Sequence, residues 1–329
     1  MDAWLPHVFA AVMGLALLLY VILDGYDLGV GLLLPFAHDD GQKNQMIASI
    51  GPFWDANETW IVLGVGVLLI AFPQAHGIIL TSLYLPATLM LMGLVLRGIA
   101  FDFRVKAGSD QQPMWNAVFS LGSLLAAGCQ GWMLGSYITG LDPSPLNILF
   151  SLLAALALPV LYVMLGAIWL MCRTTAPLSG RARHWARRAF MPLGVAMLVI
   201  SVATPVISDT IAARWFSLPQ FIGLAPVPLL SAFCYGFIGL VLFGQARCEP
   251  LLLFIALVLI CLLSALGLAY SLYPDIIIGR MSIVQAAASP ASLRFTLWGV
   301  LLTLPLILGY TVFVYRIFSG KVPPQSSYE

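Results

Sequence analysis

The chain has 329 residues, of which 61% are hydrophobic and only 9% charged, with a mean hydropathy of +0.97 and a net charge of +1. Soluble domains carry about 25% charged residues, so a water-soluble globular protein is excluded and an integral membrane protein is indicated. The near-zero net charge leaves no basic surface for nucleic acid.

Apolar stretches of bilayer length, about 20 residues each, fall at roughly 6–34, 54–73, 77–98, 114–138, 147–172, 190–209, 220–245, 250–273 and 293–318. The expected fold is therefore all-α, a single polytopic domain over 1–329 with nine transmembrane helices. Nine spans suit two four-helix bundles plus one peripheral helix, with a pseudo-repeat of about 1–140 and 141–275 and the helix at 293–318 left over. The run after Met1-Asp2 is too long for a signal core and holds two Asp, so it reads as a retained first helix. The tail Lys321–Glu329, with Pro323-Pro324, is expected to lack structure.

The first span is interrupted by Asp24-Gly25-Tyr26-Asp27-Leu28-Gly29-Val30-Gly31, and the second opens Trp54-Asp55-Ala56-Asn57-Glu58-Thr59-Trp60. A carboxylate at mid-bilayer costs about 2.5–3.5 kcal/mol on insertion scales, so such groups face a protein interior and serve a purpose. Asp24 and Asp27 lie three apart, as do Asp55 and Glu58, so each pair is expected to share a helix face. Simpler roles compete: Asp55 or Asn57 can cap a helix, and Gly25 and Gly29 form a small-xxx-small pair for close helix approach.

Lys and Arg set the orientation. Twelve of the fifteen fall in connections after the first, third, fifth and seventh spans or near the C-terminus, Arg247 among them; Arg214, Arg280 and Arg294 alone fall on the other side. The N-terminus is expected outside and the C-terminus in the cytoplasm. The basic connection Arg173–Arg188 reads as a topology signal touching anionic headgroups. In this frame Asp24, Asp27, Asp55, Glu58 and Asp102 gather toward the cytoplasm, with Arg97 and Arg104 beside them. Asp102 and Arg104 are expected to follow the third span, and Arg97 to neutralise one carboxylate or to anchor the helix.

His7, His38, His76 and His184 all avoid the middle of a span, whereas intramembrane haem needs axial ligands from the helices that line it. Cys129, Cys172, Cys234, Cys248 and Cys261 show no metal or disulfide spacing. The chain is expected to hold no haem or metal of its own.

The acidic motifs, together with Phe101-Asp102-Phe103-Arg104, Tyr273-Pro274, Gly309-Tyr310-Thr311 and Phe318-Ser319-Gly320-Lys321, resemble subunit II of the cytochrome bd quinol oxidases. The likeness is strong at both ends and thins between about 115 and 270. Gln285 stands where relatives carry Asp or Asn. The resemblance implies a bacterial plasma-membrane heterodimer in which subunit I carries haem b, haem d and the quinol site and subunit II carries none. It implies oxidation of quinol and reduction of O2 to water, with chemical protons drawn from the cytoplasm and no pumping. Asp55 and Asp102 match positions assigned to proton intake, and Asp24 and Asp27 match the first-helix acidic motif. Asp24, Asp27, Asp55, Glu58 and Asp102 are thus the expected proton path, with Arg97, Arg104, Trp54 and Asn57 as structural or charge partners. Further expected partners are small single-helix subunits, membrane lipid and a structural quinone. The alternatives are an ion-coupled transporter and an assembly subunit whose acids only form ion pairs.

Overall fold

The structure, a computed structural model, describes residues 4–108, 110–218, 220–244 and 248–323. Met1, Asp2, Arg247 and the tail from 324 lie outside the described residues.

Helix α1 (Leu5–Leu33) starts with Pro6, where the missing N–H is one the helix could not pair anyway. It closes in a 3-10 turn, Leu34–Phe36. The polar α2 (Asp40–Ile50) follows, its N-terminus capped by Asp39, whose Oδ1 accepts the Gln42 N–H at 2.8 Å. Next come α3 (Trp54–Ala71), the short α4 (Pro73–Ser82) and α5 (Tyr84–Lys106). The third span thus starts later than the expected 77, because Pro73 opens a separate helix and the chain breaks at Leu83. It also runs past 98, so Asp102 and Arg104 lie in its last turns instead of following it.

Then come α6 (Gln112–Ile138), α7 (Pro145–Arg173) and α8 (Leu178–Ile207). Helix α8 begins well before the expected 190 and takes in Arg181, Arg183, Arg187 and Arg188, so most of the expected basic connection is helix. Short helices α9 (Asp209–Trp215) and α10 (Gln220–Leu224) lead to α11 (Pro226–Phe243) and α12 (Pro250–Leu272). An antiparallel hairpin, β1 (Asp275–Ile277) and β2 (Met281–Ser282), precedes α13 (Ile283–Ala286) and α14 (Pro290–Ile317). Gln285 completes a capping box with Ser282, a local role that its amide serves well.

Among the described residues nine spans are long and apolar enough to cross a membrane: α1, α3, α5, α6, α7, α8, α10 with α11, α12 and α14. Helices α1, α3, α5 and α6 pack as one four-helix bundle, and α7, α8, α11 and α12 as a second. Helix α14 lies at the periphery against α3 and α1, with only Leu293 and Val314 buried.

The bundles meet where α1 and α6 pack on α7. A Cβ on Gly29 would stand 1.8 Å from the Tyr162 carbonyl oxygen, and one on Gly166 would stand 2.5 Å from the Gly29 carbonyl carbon. Only glycine allows that approach, and close backbone packing replaces the hydrophobic drive that lipid cannot supply. The Gly25–Gly29 pair therefore serves helix contact as expected, with Tyr162 against Gly25.

At the end rich in Lys and Arg, hereafter the basic end, the chain terminus is tied down. The Val322 N–H donates to the Arg173 carbonyl at 2.7 Å, and Gln45 Nε2 donates to the Val322 carbonyl at 2.8 Å. Lys321–Pro323 therefore depart from the expected unstructured tail, because two backbone partners are within reach. At the opposite end the Ala288 N–H donates to the Ala71 carbonyl, which pins the connection before α14 to the end of α3.

Candidate functional site

Asp24 and Asp27 lie fully buried on the face of α1 turned into the protein. The spacing of three puts both carboxyls in one layer, which α3 and α5 meet from the side. From α5, Arg97 donates through Nη1 to Asp24 Oδ1 at 2.6 Å and through Nη2 to Glu58 Oε2 at 2.8 Å. Glu58 belongs to α3 and its side chain is 28% exposed, so the bridge runs from a sealed acid to one at the edge. The guanidinium also lies 5.9 Å from the Trp54 ring centroid.

Asp27 has a neutral partner instead. Asn57 Nδ2 donates to Asp27 Oδ2 at 2.8 Å, with the Tyr26 hydroxyl also at 2.8 Å and the Leu23 carbonyl at 3.3 Å. The Tyr315 hydroxyl, from the peripheral α14, donates to Asn57 Oδ1 at 3.1 Å and is hydrogen-bonded to Tyr26. Tyr26 is held flat against Trp169 at a centroid separation of 4.0 Å. Asp27 Oδ1 and Arg97 Nε remain buried with no hydrogen-bond partner among the described residues.

A second polar chain lies deeper. One turn before Asp24, the Tyr20 hydroxyl accepts from Gln130 Nε2 at 2.6 Å, and the Tyr162 hydroxyl donates to Gln130 Oε1 at 2.6 Å. All three side chains are buried, so the amide ties α1, α6 and α7 together in an oily interior.

The structure thus brings together Asp24, Asp27, Glu58, Arg97, Asn57 and Trp54. It sets Asp55 and Asp102 apart: both are exposed, on α3 and α5, outside the buried cluster. Asp55 and Glu58 do not share an environment, since only Glu58 turns to Arg97. Arg104 is no partner of a carboxylate in the cluster. It is 3% exposed and donates to Asn116 Oδ1 and to Asn44 Oδ1, the latter at 2.7 Å, which stitches α5 to α6 and α2. Tyr26, Tyr315 and the Tyr20–Gln130–Tyr162 chain escaped the sequence reading. Gln130, an amide in the middle of an apolar run, was the available signal.

Three histidines sit where the sequence placed them, while His184, expected in a connection, lies inside α8 because that helix starts early. His7 lies in the first turn of α1, His38 in the following connection, His76 in α4 and His184 near the start of α8. None stands at mid-span, where axial ligation of an intramembrane haem would call for it.

The family model for cytochrome bd terminal oxidase subunit II matches residues 5–318, nearly the full chain. The chain belongs to the cytochrome bd terminal oxidase subunit II family. The match runs through the stretch between 115 and 270 where the motif likeness thins. This subunit II is similar to subunit 2 of the cytochrome bd ubiquinol oxidase of Bacillus subtilis, 26% identical over 98% of this chain and 96% of that one. It is also similar to subunit 2 of the bd-I ubiquinol oxidase of Escherichia coli K12, 24% identical over 97% and 95%. Its fold is shared with a bd oxidase chain from Geobacillus thermodenitrificans, at a TM-score of 0.78 and 18% identity over 95% of this chain and 98% of that one. The family forms part of an oxidoreductase complex of the respiratory chain.

Proposed function

We propose that this subunit II is the haem-free partner of a haem-bearing subunit I and supplies part of a proton-intake path for the reduction of O2 to water. In this reading haem b and haem d in subunit I carry the redox chemistry, quinol is oxidised there, and no protons are pumped. The observation that carries the reading is the cluster of buried Asp24 and Asp27 with partly exposed Glu58, in which Arg97 bridges Asp24 and Glu58 and Asn57 holds Asp27. Three carboxyls and one arginine are electrically balanced only with two protons bound, so the group suits proton storage and exchange. Glu58, partly exposed, is its connection to water. Asp55 and Asp102, on the outer faces of α3 and α5 near the basic end, are set to collect protons and pass them along the contact with subunit I.

The same reading places the chain in a bacterial plasma membrane, N-terminus outside and basic end in the cytoplasm, following the distribution of Lys and Arg. The two four-helix bundles would then be the halves of a pseudo-repeat, 1–140 and 141–275. Small single-helix subunits, lipid and a structural quinone are its further expected companions.

The test is Asp55→Asn in the assembled complex. We expect the haem absorption spectrum to stay intact while oxygen consumption slows; full activity would remove Asp55 from the path. The bidentate use of Arg97 favours one second reading, in which the acids only hold helices together. That reading requires loss of Asp24 to abolish assembly and leave the turnover of any assembled complex unchanged. A transporter would need a solute site at the midplane, whereas these acids gather toward one end; transport assays on the lone chain in liposomes address it.

A further inference from the structure

The arginines of the basic segment divide by helix face. Arg183 donates to the Val241 carbonyl at 2.5 Å, and Arg187 Nε donates to the Leu242 carbonyl at 2.6 Å. These two, four residues apart, cover the C-terminal carbonyls of α11, which the helix itself cannot pair. Arg173 donates to the Phe318 carbonyl. Their charges serve the fold.

Arg181, His184 and Arg188 do something else. Spaced by three and four, they share a different face of α8, and none has a side-chain hydrogen bond to another described residue. All three line a groove of about 1080 Å³ between α8, α7, α6 and the end of α1. Away from this rim the walls are apolar, with Leu121 and Leu124 from α6 and Val160 and Val163 from α7. Pro159 and Pro192, inside α7 and α8, line it too; each removes one backbone hydrogen bond from its helix. The acid close to Arg181 is Asp39, exposed at the start of α2, which leaves the rim net positive. At 1.5 Å rise per residue, Arg181 and Arg188 stand about 10 Å apart along α8. Neither α3 nor α5, which carry Asp55 and Asp102, contributes to the lining of the groove.

We propose that this groove is a binding site for one anionic phospholipid, its phosphate held by Arg181 and Arg188 and its acyl chains laid along Leu121, Leu124, Val160 and Val163. A neutral quinone or a second helix fills an apolar groove equally well, but neither accounts for two arginines at its mouth that, among the described residues, face only the exposed Asp39. Charge at the rim and oil in the depth are the two halves of a phospholipid.

Native mass spectrometry of the purified oxidase complex tests this, with phosphatidylglycerol and phosphatidylcholine as probes in otherwise identical preparations. We expect the wild-type complex to retain one phosphatidylglycerol under conditions that strip phosphatidylcholine. The Arg181→Gln, Arg188→Gln double variant should lose that preference by about thirty-fold, the effect of two arginines near a membrane surface. Val160→Trp, which fills the groove with the arginines intact, should lose the same lipid, and it decides the matter if the double variant fails to assemble as judged by its haem spectrum. Equal retention of the two lipids by the wild type, an unchanged adduct in both variants, or a quinone or polypeptide held in the groove would each overturn the proposal.

Discussion

Arg97 Nη1 stands 2.6 Å from Asp24 Oδ1, and the two side chains are 1% and 0% exposed. Taking one member of such a pair away leaves the other charged and dry, which costs about 3–5 kcal/mol. We therefore expect Arg97→Gln to reduce the yield of assembled complex sharply. Arg97→Gln with Asp24→Asn should recover most of it, because the amide needs no counter-charge. The check is a double-mutant cycle on the thermal midpoint of the complex; strict additivity would separate the two residues energetically.

Tyr315 links α14 to Asp27 of α1 through Asn57. Tyr315→Phe keeps the ring and removes the donor to Asn57 Oδ1, so the expected loss is about 0.5–1.5 kcal/mol. Since Asn57 orients Asp27, oxygen consumption should also slow while the haem spectrum holds. An unchanged rate would detach Tyr315 from the acidic group.

Gly29→Ala places a methyl on the Tyr162 carbonyl and should cost about 3 kcal/mol or more, since backbone cannot give way as a side-chain tip can. Gly66 has open space around its Cα, so Gly66→Ala should be neutral or mildly stabilising through helix propensity. Comparing the two midpoints checks that packing at the bundle crossing, and not helix preference, sets the effect.

Asp39 gives a pH signature. The Gln42 N–H holds its carboxyl below the usual carboxylate range. A group whose folded value is depressed stabilises above its unfolded value and loses that contribution as pH falls through the folded one. Asp39→Ala should therefore lower the thermal midpoint at neutral pH, and the difference from wild type should close as acid is added. A constant gap across pH would assign the effect to something other than the ionised cap.

The nine spans were legible because lipid leaves helices no other solvent for their side chains, so hydropathy writes them plainly. Their ends were not. Arg181 and Arg188 lower the hydropathy of turns that are helical all the same, and Pro73 splits off α4 inside an apolar run that looks continuous. The acids of α1 were legible because charge is rare there, and Arg97 as a partner followed from the same rarity. Which acid it holds depends on how α3 and α5 rotate about their axes, and that is set by contacts such as Trp54 on Phe101, 4.9 Å between centroids. The rotation is also what turned Asp55 and Asp102 outward. Tyr315 lay 258 residues from Asn57, and no local pattern reports a contact of that range.

Helix α14 follows the other eight spans in chain order. Its middle is mostly exposed, with Leu304 and Ile307 resting against Tyr20 and Trp60, and it is gripped by hydrogen bonds near Ala288 on one side and near Tyr315 and Val322 on the other. The eight earlier spans can therefore pack in the bilayer before α14 docks, and Asn57 gains its final donor only when Tyr315 arrives with it. A chain cut before α14 would insert and pack yet present Asp27 with an Asn57 that lacks its tyrosine donor, so docking of α14 is the step that finishes the acid's surroundings.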